Sequence, residues 1–143
     1  MQFVDELKKR RSIYSLGSNV EVSEEELVSL IKEVVKESPT SFNSQTSRAV
    51  ILFDDAHKKL WDITEELLKP LTPENAFPNT QAKLQGFANG KGTVLFFEDQ
   101  DTVKQLQEQF ALYADNFPIW SDQASGIAQV NVWTALALSL IHI

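Results

Sequence analysis

The 143-residue chain contains no cysteine, which excludes a disulfide framework, a thiol nucleophile and any Cys-ligated zinc or iron–sulfur centre. Two histidines are too few for a His-rich metal site. Redox chemistry in such a chain must come from a bound cofactor. Glycine and proline number only 5 each, which excludes collagen-like and linker-rich architectures. Cations are the minority: 13 Lys plus Arg against 20 Asp plus Glu give a net charge of -7, which repels phosphate backbones over most of the surface and argues against nucleic acid as a partner. The opening MQFVDELKKRRS lacks the apolar core of a secretory signal. The apolar tail from Pro118 is interrupted by Asp122, Gln123, Gln129, Asn131 and Thr134, so a buried helix is expected there rather than a membrane span. The protein reads as cytoplasmic. With 43% hydrophobic and 23% charged residues, the chain has the balance of one globular domain over residues 1–143.

Apolar spacing places the elements. Phe3, Val4 and Leu7 share one side of a short helix that ends in Lys8, Lys9, Arg10 and Arg11, where cations suit the negative helix end. Ser23 and Glu26 have capping-box spacing and open a helix to about Glu37, with Leu27, Leu30, Ile31, Val34 and Val35 as its apolar stripe. Pro39 stops it, and a polar loop follows to Ser47. Arg48 to Phe53 reads as a buried strand ended by Asp54 and Asp55, and Ala56 to Leu68 as a helix. Residues 75 to 89 give only a weak helical signal. Thr93 to Phe97 reads as a second buried strand, Asp101 to Asp115 as an amphipathic helix capped by Asp101, and the segment from Pro118 as a helix packed on every side. Helix, helix, strand, helix, helix, strand, helix, helix is an α+β order.

Few residues carry obvious chemistry. The glycines around Lys91 and Thr93 lack the spacing of a phosphate-binding loop and precede a strand rather than a helix, so an ordinary turn is expected. His57, beside Asp54 and Asp55, has no nucleophile near it in sequence and reads as a surface residue. Arg10, Arg11 and Ser12 offer two guanidinium forks and a hydroxyl, the donor set that suits a phosphate monoester, though solvated cations at a helix end look the same locally. Pro39, Thr40, Ser41, Phe42, Asn43, Ser44 and Gln45 offer hydroxyl and amide groups suited to a polyhydroxyl chain or a heteroaromatic edge, and equally to a capped surface loop.

Taken together, RRSIYSLG, SPTSFNSQTSR and NFPIWSDQASGIAQVNVWTAL resemble the FMN-dependent nitroreductase family up to about Leu138, and within it the branch of the fungal fatty-acid-repression nitroreductases and their bacterial counterparts. The resemblance implies a nitroreductase-like α+β fold with a central, mainly antiparallel sheet, flanking helices and a long buried central helix. It implies a homodimer holding FMN at its interface, reduced by NAD(P)H and reoxidised by a nitroaromatic or quinone-like acceptor in a ping-pong cycle. Arg10, Arg11, Ser12 and Asn43, with Gln45 nearby, would hold one FMN, and Pro39, Thr40 and Ser41 would reach the FMN of the partner subunit. Phe42, Phe117 and Trp120 are candidate pocket walls or ordinary core. Tyr14 stands where many family members carry a further Arg. Relatives continue into a Gly-rich turn, another strand and a segment that embraces the partner, so a longer parent is expected, with 139–143 as a non-native tail. A non-catalytic flavin-binding or regulatory relative, a truncated fragment with no activity of its own and a small interaction domain are the rival readings.

Overall fold

The structure, a computed structural model, describes residues 2–140, and only the backbone of Leu140. Six helices, α1 (Gln2–Lys9), α2 (Glu24–Glu37), α3 (Asp54–Leu68), α4 (Phe77–Ala88), α5 (Gln100–Gln109) and α6 (Asn116–Leu140), and two strands, β1 (Ser47–Phe53) and β2 (Gly92–Glu98), form the regular structure of the described residues. The strands pair with each other. Pairing is antiparallel: a Cβ on Gly92, at the start of β2, would lie 2.6 Å from the Leu52 carbonyl near the end of β1, while the Asp99 N–H just past β2 reaches the Thr46 carbonyl just before β1. The first of these contacts leaves no room for any residue but glycine at position 92.

Two compact units emerge, and the division falls within both strands. One comprises residues 2–10, 21–50 and 95–140. Its core is α6, against which α1, α2 and α5 pack. Leu27 and Ile31 of α2, Val103 of α5, and Phe117, Ala124, Ala128 and Val132 of α6 are its buried apolar residues. From Phe117 through Ser121, Ala124 and Ala128 to Val132 the buried α6 positions recur every three to four residues, the repeat of one helix face. The opposite face, with Ile119, Ile127, Val130 and Trp133, remains exposed in the single chain. The expectation of neighbours on every side of this helix is therefore corrected: apolar composition all round does not bury a helix whose own chain covers one stripe.

The expected capping box on α2 is present. Ser23 Oγ accepts from the Glu26 N–H at 3.2 Å, and the Glu26 carboxylate accepts from the Ser23 N–H at 3.0 Å. Helix α5 is shorter and starts earlier than expected. Its cap is Asp99, not Asp101, because Asp99 is extended and its carboxylate accepts from the N–H groups of Asp101 and Thr102. The helix ends at Phe110, and a 3-10 turn over Ala111–Tyr113 precedes α6. Helix α6 begins at Asn116, before Pro118, since a first-turn N–H lacks an intrahelical acceptor and proline there costs nothing.

The other unit comprises residues 11–20 and 51–94. Helix α3 opens at Asp54, so the two aspartates begin the helix as well as end the strand. The weak helical signal of residues 75 to 89 is a regular helix, α4, that packs on α3 and buries Leu84. Pro78 sits in its first turn. His57 is 2% exposed, not a surface residue. It faces inward because its ring is fully partnered: Nε2 lies 3.0 Å from the Ala88 carbonyl and Nδ1 2.8 Å from Thr93 Oγ1, which also accepts from Trp61 Nε1 at 3.1 Å. The Ala88 carbonyl can only accept, so Nε2 carries a proton.

Candidate functional site

The loop between α2 and β1 is the most constrained backbone of the larger unit. Phe42, Asn43 and Gln45 all have positive φ, at 56°, 51° and 52°. Left-handed backbone is readily tolerated by asparagine but costs roughly 1–2 kcal/mol for other side chains, so it persists only where surroundings enforce it. Here the loop is tied internally. The Asn43 N–H donates to the Thr40 carbonyl and the Ser44 N–H to the Ser41 carbonyl, each at 3.1 Å. The Gln45 N–H donates to Thr40 Oγ1 at 3.0 Å, and Gln45 Nε2 donates to Asn43 Oδ1 at 3.1 Å. That last bond uses one of the two acceptor positions of the Asn43 amide oxygen and sets the orientation of its side chain.

The loop's downstream end is gripped by the end of β2. The Glu98 carboxylate accepts from the hydroxyls of Thr46, Ser47 and Ser121, the last two at 2.8 Å, which ties β1 and α6 to β2. Thr46 and Ser121 are buried. Arg48 donates to the carbonyls of Gln45 at 2.8 Å and Ser47 at 3.0 Å, and pairs with Asp99 at 3.0 Å. Asp99 is held below the usual carboxylate range, first by the Thr102 N–H and hydroxyl of its cap and also by Arg48. Sequence reasoning missed this grip. Glu98 and Asp99 follow the expected strand Thr93 to Phe97 as two acidic residues, and no local signal distinguishes a strand end from a hydrogen-bonding hub.

Beside the loop lies a cleft of about 270 Å³, with Pro39, Thr40 and Ser41 on one side and Trp120, Gln123, Ala124 and Ile127 of α6 on the other. Phe42 is 49% exposed and contacts the rings of Phe110, Tyr113, Phe117 and Trp120, the last nearly parallel at 5.9 Å. Of the candidate walls, Trp120 lines the cleft, Phe117 is buried core, and Phe42 lies outside the cleft lining with its ring against Trp120. Arg10 follows α1, and its guanidinium lies 4.1 Å from the Trp133 ring centre on α6, a cation–π contact that fixes its plane.

Pro39, Thr40, Ser41, Asn43 and Gln45 are thus brought together on one loop, and Arg10 lies in the same unit. Arg11 and Ser12 belong to the smaller unit, in an exposed segment without regular structure. That unit has its own polar cleft of about 360 Å³, lined in part by Ser18, His57, Lys58 and Lys91. Among the described residues no cluster of three His, Asp or Glu could hold a metal, and no helix is long and apolar enough to cross a membrane. His142 lies outside the described residues.

A small antiparallel strand pair with helices, a long apolar helix and a constrained polar loop beside a cleft lined by Trp120 define an α+β protein. Comparison with known proteins makes this specific: residues 7–138 match the nitroreductase family, and the chain belongs to it. Oxidoreductase function goes with that membership. The chain is 57% identical to the nitroreductase CinD from Lactococcus lactis, solved in complex with nicotinic acid, with a TM-score of 0.83 over 95% of this chain and 69% of that one. A nitroreductase structure from Saccharomyces cerevisiae is 30% identical, with a TM-score of 0.80 over 96% of this chain and 75% of that one. HBN1 of Saccharomyces cerevisiae, provisionally named a nitroreductase, is 36% identical over 136 residues, 94% of this chain and 67% of the relative. These relatives place the chain in the branch with fungal and bacterial members, and it spans about two thirds of their length.

Proposed function

We propose that this protein is an FMN-dependent NAD(P)H oxidoreductase that reduces nitroaromatic or quinone-like acceptors by a ping-pong cycle, working as a homodimer. The observation that carries the reading is the loop over 40–45, whose positive-φ backbone and Asn43–Gln45 pairing fix a segment that sets the Thr40 and Ser41 hydroxyls on one side of a cleft, with Trp120 on the other. CinD has also been solved with chloramphenicol and with 4-nitrophenol, and a more distant protein of the same fold, from Desulfovibrio desulfuricans, with FMN.

The donor set fits FMN. A guanidinium matches a phosphate, hydroxyls and amides match a ribityl chain and the polar edge of the ring system, and an indole wall matches a flat face. FMN, when bound, supplies the hydride chemistry that no side chain here could. Arg10, Arg11 and Ser12 hold the phosphate end, Asn43 and Gln45 the ring edge, and Pro39, Thr40 and Ser41 the FMN of the partner subunit. A cleft of about 270 Å³ is at the small end for a ligand of this size, which supports a site completed by a second chain. The exposed α6 face with Ile119, Ile127, Val130 and Trp133 supplies an apolar surface for that chain.

Titration with FMN, followed by quenching of flavin fluorescence, tests the assignment. Asn43→Ala is expected to weaken binding about tenfold, equivalent to ~1.4 kcal/mol. Unchanged affinity would remove Asn43 from the site.

A further inference from the structure

The left-handed stretch ends at Gln45, and the guanidinium of Arg48 donates to the carbonyl of that residue. Three restraints meet within four residues. The Arg48 fork bonds the Gln45 and Ser47 carbonyls through Nη1 and Asp99 through Nη2, and the Asp99 N–H donates to the Thr46 carbonyl at 2.9 Å. Asp99 is itself immobilised as the cap of α5. Upstream, the hydrogen bonds through Thr40, Ser41 and Asn43 are internal to the loop, and the ring of Phe42 rests on Phe110, Tyr113, Phe117 and Trp120, so the Gln45 end is the part that Arg48 holds. From these contacts we infer that Arg48 is a positioning residue: it locks Gln45 in the left-handed conformation that closes the loop, so that cofactor affinity depends on a side chain that does not touch the cofactor. The inference rests on the function proposed above.

The physical argument concerns populations rather than the strength of one exposed ion pair. Arg48 is an exposed side chain, and an exposed pair by itself contributes little to stability. Its leverage comes from the loop, in which Phe42 and Gln45 occupy a backbone region that free chains rarely visit. Freed of the clamp, Gln45 and the turn it closes spread over right-handed and extended alternatives, and apparent affinity falls by the fraction of molecules that remain competent. A competent fraction of about one tenth raises the apparent Kd about tenfold. Lysine cannot replace the clamp. It can pair with Asp99, but a single ammonium lacks the planar fork that spans two carbonyls and a carboxylate.

The test compares wild-type protein, Arg48→Met and Arg48→Lys by FMN titration and by amide hydrogen exchange of residues 42–47. The clamp predicts that both variants raise the FMN Kd about tenfold and accelerate exchange of the Gln45 N–H, while exchange in the buried turns of α6 around Ala128 stays as in wild type. Wild-type affinity in Arg48→Lys would overturn the inference, because it would show that position 48 acts through charge alone. Unchanged Gln45 exchange in Arg48→Met would also overturn it, as would faster exchange with unchanged affinity. Failure of the wild-type protein to take up FMN would strike the proposed function instead. The exchange comparison would then decide the clamp alone, faster Gln45 exchange upholding it and unchanged exchange overturning it.

Discussion

The ring of Phe42 stacks on the indole of Trp120, centroid to centroid 5.9 Å and 21° from parallel, from a backbone position with φ of 56°. A strained loop residue is thus pinned by aromatic contacts to the helix that lines the cleft. Two terms can be separated here by mutation. Phe42→Ala removes the ring and leaves a Cβ in the left-handed region, whereas Phe42→Gly removes both. Glycine is therefore expected to be the less damaging substitution, by about 0.5–1 kcal/mol in urea unfolding, the reverse of its usual rank. Equal or greater loss with glycine would show that the positive φ carries no strain.

His57 and Thr93 form a closed polar network in the smaller unit, with Trp61 and the Ala88 carbonyl as its ends. Thr93→Val keeps the shape but leaves the Trp61 N–H and one His57 nitrogen without their partner. The expected cost is about 1–3 kcal/mol, the desolvation penalty of unpaired buried groups. Denaturant melts measure it, and a loss below about 0.5 kcal/mol would mean that water or a rearrangement replaces the hydroxyl.

Acid should weaken the fold through two caps. Glu26 is held below its ordinary 4.5, first by the Ser23 N–H and then by the Ser23 hydroxyl, and Asp99 below its ordinary 3.8, chiefly by Thr102. For a depressed carboxylate the unfolded chain binds the proton more readily. The stabilising contribution is therefore present in full above the ordinary value and lost as pH falls through the lowered one. Glu26→Gln is expected to flatten the decline of stability below about pH 5. An unchanged acid limb in thermal melts would contradict this.

How far these features could be read in advance depended on whether their causes are local. The strand stands at Ser47–Phe53, half-buried with Arg48 and Val50 exposed rather than buried as expected, while the Ser23–Glu26 box and the amphipathic face of α2, which follow from neighbours three or four residues apart, stand where sequence reasoning put them. His57 did not, because its burial depends on Thr93 and Ala88, far along the chain. The segment Asp101 to Asp115 read as one amphipathic helix, yet the helix ends at Gln109 with Phe110 as its cap, and the rings of Phe110, Tyr113 and Phe117 gather around Phe42 instead. The polar loop was visible as a loop with suitable donors. Its left-handed backbone and the grip of Arg48, Glu98 and Asp99 were not, since they arise from a strand pairing across about fifty residues.

The central claim is that this chain binds FMN and passes hydride equivalents through it. Its most direct test is the visible absorption spectrum of the purified protein after incubation with FMN and desalting, followed by NADH or NADPH under argon. The account predicts flavin absorption that stays with the protein, bleaches on adding the nicotinamide and returns when 4-nitrophenol or a quinone is supplied. A protein that emerges colourless, or one whose flavin the nicotinamides leave unbleached, would contradict it.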